Sequence, residues 1–243
     1  MKNSIRLVPI IIVLLFACKS TKNKPIQATT QSPITDTVAR IAVEPITEIK
    51  IIPQLEAESI LIGSQVWTTK NLEVSHFRNG DAIPQAPNVK AFLDSGVKQK
   101  PAWCYYDGDI NHGKFYGKLY NWYAVNDQRG LAPTGWHIPS DEEWTQLTTE
   151  LGGENAAGIK LKSTEGWRNN KNGDNSSGFN GLPSGYVVFN GPLRKQSEYG
   201  GWWSSTEQPT YFAWFRTMNY TGNSMQKESN YKVLGLSVRC IKD

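Results

Sequence analysis

Ser140-Asp-Glu-Glu-Trp-Thr-Gln-Leu-Thr-Thr-Glu-Leu-Gly-Gly153 is the most decisive stretch of the 243-residue chain. Ser140 can accept from the backbone N–H of Glu143, whose carboxylate can reach back: a capping box. Trp144, Leu147 and Leu151 share one helical face, and Gly152-Gly153 stops the helix. Asp141, Glu142 and Glu143 read as first-turn acids favoured by the helix dipole, not as a catalytic carboxylate pair.

Around this helix the pattern changes period. Ile60 to Leu72 reads as strand, turn and strand about Gly63-Ser64, and Ala102 to Tyr106 as a short strand. Tyr116, Leu119, Tyr120 and Tyr123 fall at i, i+3, i+4 and i+7, which predicts a helix over 116–126. Beyond residue 178 strands dominate: a kinked one over 178–189, a buried one over 201–205, then 211–218 and 227–241. In the last, Leu234, Leu236, Val238 and Cys240 alternate with Gly235, Ser237 and Arg239, which predicts a half-buried strand. Two early helices and a mostly antiparallel, Gly- and Trp-rich half define an α+β domain.

Composition places its start. All nine Trp and all ten Tyr lie at or beyond Trp67, and all 21 Gly at or beyond Gly63. The folded domain is therefore expected over 60–243, a length that supports a substantial core.

The first 17 residues read as an export signal: Lys2 and Arg6, then an apolar run from Leu7 to Ala17 that is too short to span a bilayer. Leu15-Phe-Ala-Cys18 looks like a bacterial lipobox, so Cys18 is the expected lipidation site. Two or more acyl chains there would anchor the chain stably. Residues 18–59, rich in Thr, Pro and Gln, are expected to be a flexible tether with a reach of about 35 Å. Its Ile41, Val43, Ile46, Ile49, Ile51 and Ile52 are more apolar than a spacer requires. They allow a second reading, a short strand that docks on the domain or a partner. No acid follows Cys18 over residues 19–24, which leans toward the periplasmic face of the outer membrane.

Net charge is +4, of which Lys2 and Arg6 belong to the signal, leaving about +2. That gives no footprint for nucleic acid. Cys104 and Cys240 form an even pair in an exported domain. A bridge would close a loop of 136 residues. It would contribute roughly 4 to 5 kcal/mol; the alternative is two buried free thiols.

Six stretches resemble the Fibrobacter succinogenes major paralogous domain. They are Ile62-Gly-Ser-Gln-Val-Trp-Thr-Thr-Lys-Asn-Leu72, Tyr116-Gly-Lys-Leu-Tyr-Asn-Trp-Tyr-Ala124, Pro133-Thr-Gly-Trp-His-Ile-Pro-Ser140, Gly178-Phe-Asn-Gly-Leu-Pro-Ser-Gly-Tyr186, Trp202-Trp-Ser-Ser-Thr-Glu207 and Leu236-Ser-Val-Arg-Cys240. The resemblance covers Ile60 to Asp243 in order. It implies a C-type-lectin-like fold, in the branch shared with formylglycine-generating-enzyme-like domains, and an address in lipoproteins of the bacterial envelope. Many members carry Cys just before Pro-x-Gly-Trp-His, where this chain has Leu131-Ala132. The family has no agreed activity.

Chemistry is sparse. His76, His112 and His137 lack metal-motif neighbours, and His137 reads as a structural hydrogen-bonder. Asp107-x-Asp109-x-Asn111 opens like a calcium hand, but its sixth position is His112 and its twelfth is Lys118. Asp174 and Asn175, in an oxygen-rich turn, are the one candidate calcium pair, against a plain solvated turn. There is no nucleophile elbow and no phosphate loop. A formylglycine-generating enzyme would need a reactive cysteine pair that this spacing does not suggest. Trp202, Trp203, Tyr211, Trp214 and Tyr220 are the candidate ligand-binding aromatics, set among Asn, Ser and Gly that suit a glycan or a protein partner; the bland alternative is core filling. The expectation is a non-catalytic, membrane-anchored binding module without a resident cofactor. The alternatives are an accessory structural subunit of an envelope complex and, last, an enzyme.

Overall fold

The computed structural model describes residues 58–189 and 193–243, all within the unit Lys50–Asp243. The expected export signal, the expected lipidation site Cys18 and nearly all of the expected tether lie outside the described residues. Among the described residues no helix is long and apolar enough to cross a membrane.

The chain enters on β1 (Ser59–Ile62), turns at Gly63-Ser64 and returns on β2 (Gln65–Thr68). Then come α1 (Val89–Val97), β3 (Trp103–Cys104), α2 (Ile110–Tyr116), β4 (Leu119–Tyr120), α3 (Trp122–Val125) and β5 (Trp136–His137). After α4 (Asp141–Glu150) and α5 (Glu154–Leu161) a long meander follows: β6 (Tyr199–Glu207), β7 (Phe212–Asn219), β8 (Gln226–Tyr231) and β9 (Ile241–Lys242). The strands form three antiparallel sheets in the orders β1-β2-β9-β5, β3-β4 and β6-β7-β8. The domain is α+β, with five α-helices among the described residues.

Helix α4 forms as its sequence dictates. Ser140 Oγ accepts from Glu143 N at 3.2 Å, and Glu143 Oε2 accepts from Ser140 N at 2.7 Å. Trp144 and Leu147 face inward. The helix expected over 116–126 does not form. Gly117 adopts φ +81° and ends α2. Leu119 and Tyr120 then pair with Cys104 and Trp103 and point into different clusters. Four apolar residues at helical spacing thus serve a strand and two helix ends.

Two more expectations need correction. Residues 178–189 make only isolated bridges, because Gly178, Asn180 and Gly185 take positive φ and interrupt a ladder. The expected strand 227–241 splits into β8 and β9, joined by a run in which every residue from Lys232 to Cys240 is buried. That run crosses the interior, bridging Leu236 to Tyr120, Gly235 to Val187 and Ser237 to Trp202.

Three buried clusters hold the domain. In β6 the side chains alternate, so Trp203 enters the cluster of Tyr120, Phe215 and Leu236, while Trp202 enters that of Trp67, Trp144 and Phe179. Trp67 and Trp144 meet at 4.6 Å between ring centroids, and Phe179 meets Trp202 edge-on at 5.9 Å. The third cluster gathers Phe92, Cys104, Leu119 and Val187.

Candidate functional site

A cation sits at the centre of the motif segments. Arg239 is fully buried. Its Nε donates to Asn71 Oδ1 at 2.7 Å, Nη1 to the carbonyls of Thr68 and Phe179 at 2.6 and 2.8 Å, and Nη2 to that of Asn180 at 2.9 Å. The guanidinium also lies 4.4 Å from the Phe179 ring. Among the described residues no carboxylate pairs with it. Burial pulls it down to about 9, so at neutral pH it stays cationic, solvated by oxygen dipoles and an aromatic face. Asn71 distributes the rest. Its Oδ1 also accepts from Trp202 Nε1 at 2.9 Å, and its Nδ2 donates to Tyr116 O at 2.8 Å and Ser237 Oγ at 3.2 Å. Five of the six motif stretches therefore meet at one amide and one guanidinium.

Above this network opens a groove of about 850 Å³. One wall is the run Thr68–Arg78; the others are Lys114, Phe115 and Gly117, Leu131–Thr134, and Asn180 with Leu182, and Cys240 also lines it. The size is that of a ligand site. Arg78 braces the wall at 131–136 by donating to the carbonyls of Ala132 at 3.1 Å, Pro133 at 3.3 Å and Trp136 at 2.9 Å. Leu72, Val74, Phe115, Leu131, Pro133 and Leu182 give an aliphatic and aromatic lining, with Lys70, His76, Arg78, Lys114, Glu73 and Glu165 around it. Phe115 is 53% exposed. A smaller hollow of about 260 Å³ lies beside it, sharing Glu73 and Lys114, and adds Tyr105, Ile110 and Lys118. Lys118 Nζ donates to Glu73 O at 2.8 Å and Ser75 Oγ at 2.5 Å and lies 4.0 Å from the Trp103 ring; burial pulls its ammonium down.

The structure redistributes the expected ligand-binding aromatics. Trp202 and Trp203 are completely buried, and their indole N–H groups are committed to Asn71 Oδ1 and to Tyr120 O at 2.8 Å. They are core residues, not a ligand surface. Tyr220 packs against the second cluster with Arg168 5.6 Å from its ring. Trp214 is half-buried under Lys227 Nζ at 4.2 Å. Tyr211 is 55% exposed, next to the stacked pair Phe212–Tyr231 at 4.7 Å. The five do not form one patch.

The cysteine bridge is also corrected. Cys104 and Cys240 are free thiols in different clusters, and burial pushes each up to about 12, so neither is a thiolate at neutral pH. Asp174 and Asn175 use their oxygens on the turn itself: Asp174 Oδ1 accepts from Ser176 N at 2.9 Å, and Asn175 Oδ1 from Asn180 N at 2.8 Å. Among the described residues no three His, Cys, Asp or Glu side chains converge as metal ligands.

His137 is a clamp, as its motif position suggests. Its Nδ1 meets Asp243 Oδ1 and its Nε2 meets Glu143 Oε1, both at 2.8 Å. Burial lowers its pKa, but the hydrogen bonds to Glu143 and Asp243 outweigh that and raise it. The imidazole ring ties β5 to the cap of α4 and to Asp243 just after β9. The acid Asp141 does more than cap: its Oδ1 lies 2.6 Å from Nη1 of fully buried Arg216 and its Oδ2 2.5 Å from Lys227 Nζ.

Sequence reading missed the Asn71–Arg239 hub and the buried ammonium of Lys162. The latter rests on Gly222 O at 2.6 Å and on the Trp167 ring at 4.7 Å. One signal existed: Arg239 sits inside an apolar alternation, where a charge demands a reason.

This architecture defines an α+β domain, rich in Gly and Trp, whose motif segments build one buried polar hub beneath one groove. The chain belongs to the family of the Fibrobacter succinogenes major domain, whose sequence profile matches residues 60–242. Neither a curated protein nor a solved structure matches the chain.

Proposed function

We propose that this is a non-catalytic recognition domain, lectin-like in the wide sense of its α+β scaffold. In this reading it is carried on a tether from lipidated Cys18 in the outer membrane of a bacterial envelope. Its motif-walled groove binds an extended segment of an envelope protein. The observation that carries the reading is the convergence of motif segments on one groove: Thr68 to Leu72, Tyr116-Gly117, Pro133-Thr134, Asn180 to Leu182 and Cys240 line it or flank it. The aliphatic lining favours a peptide over a glycan, which would ask for flat aromatic faces. The protonated, buried thiols and the committed histidine His137 support the absence of catalysis.

The test pairs two variants with wild-type protein. Lys114→Glu with Phe115→Glu alters the groove wall; Tyr211→Ser with Trp214→Ser alters the distant end of β7. Retention on immobilised envelope proteins and envelope glycans is compared at matched thermal stability. The proposal expects the groove variant alone to lose protein binding by tenfold or more. Equal retention of wild type and groove variant, or loss in the β7 variant alone, refutes it. The latter outcome favours an accessory subunit docked through Tyr211, Phe212 and Tyr231.

A further inference from the structure

The groove has a candidate occupant in the chain itself. Glu58, the first described residue, lines the groove. Its carbonyl accepts from Thr69 N at 2.9 Å and Thr69 Oγ1 at 3.2 Å, and its carboxylate meets Lys70 Nζ at 2.8 Å. The chain is thus pinned at the groove's rim at the point where it enters the domain. The residues just before it read Lys50-Ile-Ile-Pro-Gln-Leu-Glu-Ala57. Ile51, Ile52 and Leu55 continue the apolar series Ile41, Val43, Ile46 and Ile49 and bring it to within a few residues of the groove's rim. Seven residues, Ile51 to Ala57, would reach about 23 Å if extended, at roughly 3.3 Å each, starting from Glu58 in the groove's lining.

The wall is chemically prepared for such a segment. Along Glu73–Ser75 the carbonyls are spent inward: they accept from Lys118 Nζ at 2.8 Å, Tyr120 Oη at 2.7 Å and Ile83 N at 2.8 Å. The N–H groups of Glu73, Val74, Ser75 and His76 have no acceptor among the described residues. A segment laid beside an extended run meets every second N–H, so it supplies carbonyls to alternate donors of this set and aliphatic side chains to Leu72, Val74 and Phe115. Glu56 and Glu58 suit the cations Lys70 and Lys114 by charge.

We infer that Ile51–Leu55 acts as an internal pseudo-ligand of the groove, so that a partner peptide must displace it. The inference concerns the regulation of the same groove and rests on the recognition reading for its competitor, though not for the docking itself.

The test uses the full chain and the pair Ile51→Asp, Ile52→Asp, with Ile51→Ser, Ile52→Ser as the milder form should the aspartates unfold the protein. A fluorescein-labelled peptide of sequence Lys50–Ala57 is the probe, and amide exchange at Glu73–His76 the second readout. The variant is expected to bind the peptide at least tenfold more tightly than wild type and to exchange faster at alternate amides within Glu73–His76, with its melting transition retained. Binding to neither protein, equal binding to both, or unchanged exchange overturns the inference. If the peptide result holds while retention on envelope proteins is the same for both chains, the docking stands and the recognition reading falls.

Discussion

Replacing Arg239 by methionine keeps most of the side-chain volume and removes the buried charge. Four oxygens then lose a donor: those of Thr68, Phe179 and Asn180 and the amide of Asn71, which keeps only its bond from Trp202. The loss is offset in part because the guanidinium no longer has to be held away from water. Each buried acceptor left unsatisfied costs about 1 to 3 kcal/mol, so after that offset a net loss of about 3 to 5 kcal/mol is expected, against a total stability of about 5 to 15 kcal/mol. For a domain of this length that corresponds to a drop of roughly 10 °C in Tm. Lysine at the same place keeps the charge but not the fork, and should recover less than half of the loss. Urea melts of wild type, R239M, N71A and the double variant give the stability change and the coupling. The single losses should not add: a coupling of about 1 kcal/mol or more is expected. An R239M protein within about 1 kcal/mol of wild type would refute the reasoning, because the hub would then hold nothing together.

Other perturbations reach different parts of the domain. Burial lowers Lys162 to about 8 from 10.5, so between those values the unfolded chain binds more protons. Stability should therefore rise as pH goes from 8 to 10.5, by up to about 3 kcal/mol, and Lys162→Met should abolish that rise relative to wild type in parallel melts. His137 is raised, so its contribution is complete below about 6.5 and is lost as pH climbs through its folded value. His137→Gln should cost up to about 1 kcal/mol at pH 5.5 and less at pH 9, checked by melting at the two pH values. Gly158 lies inside α5, where alanine ordinarily stabilises by about 1 kcal/mol. Here an added Cβ would lie 2.4 Å from Asn223 O and 2.6 Å from Ser224 O, so Gly158→Ala should destabilise by about 1 to 3 kcal/mol; a raised Tm contradicts this. Both thiols should resist a thiol reagent in the native state and react in guanidinium, with no disulfide in the intact mass.

The sequence was most readable where a local rule and the tertiary need coincide. The capping box at Ser140 and Glu143, the β1–β2 hairpin and the strands β6 and β7 follow from spacing and turn residues alone. Reading failed where one pattern served two masters. Tyr116, Leu119, Tyr120 and Tyr123 match a helix, but Gly117 and the pairing with β3 decide otherwise. Helices α1 and α5 are short, with only Phe92, Gly96, Ala157, Gly158 and Leu161 buried, too few to raise a periodic signal. The aromatic doublet Trp202-Trp203 looked like a ligand surface because composition does not reveal depth; alternation along β6 sends the two rings into two cores. The groove was illegible for a different reason. Its walls come from segments spread over more than a hundred residues, brought together by side chains such as Arg78 and Asn71 and by the path of Lys232 to Cys240 through the interior.

In the proposed function the groove between Thr68–Arg78 and Leu131–Thr134 is where the partner binds. Amide exchange of the full chain, with and without saturating envelope protein extract, tests it most directly. New protection is expected along 69–78 and 131–134, with β7 and β8 unchanged. Protection confined to Phe212–Tyr231, with the groove exchanging as before, contradicts it.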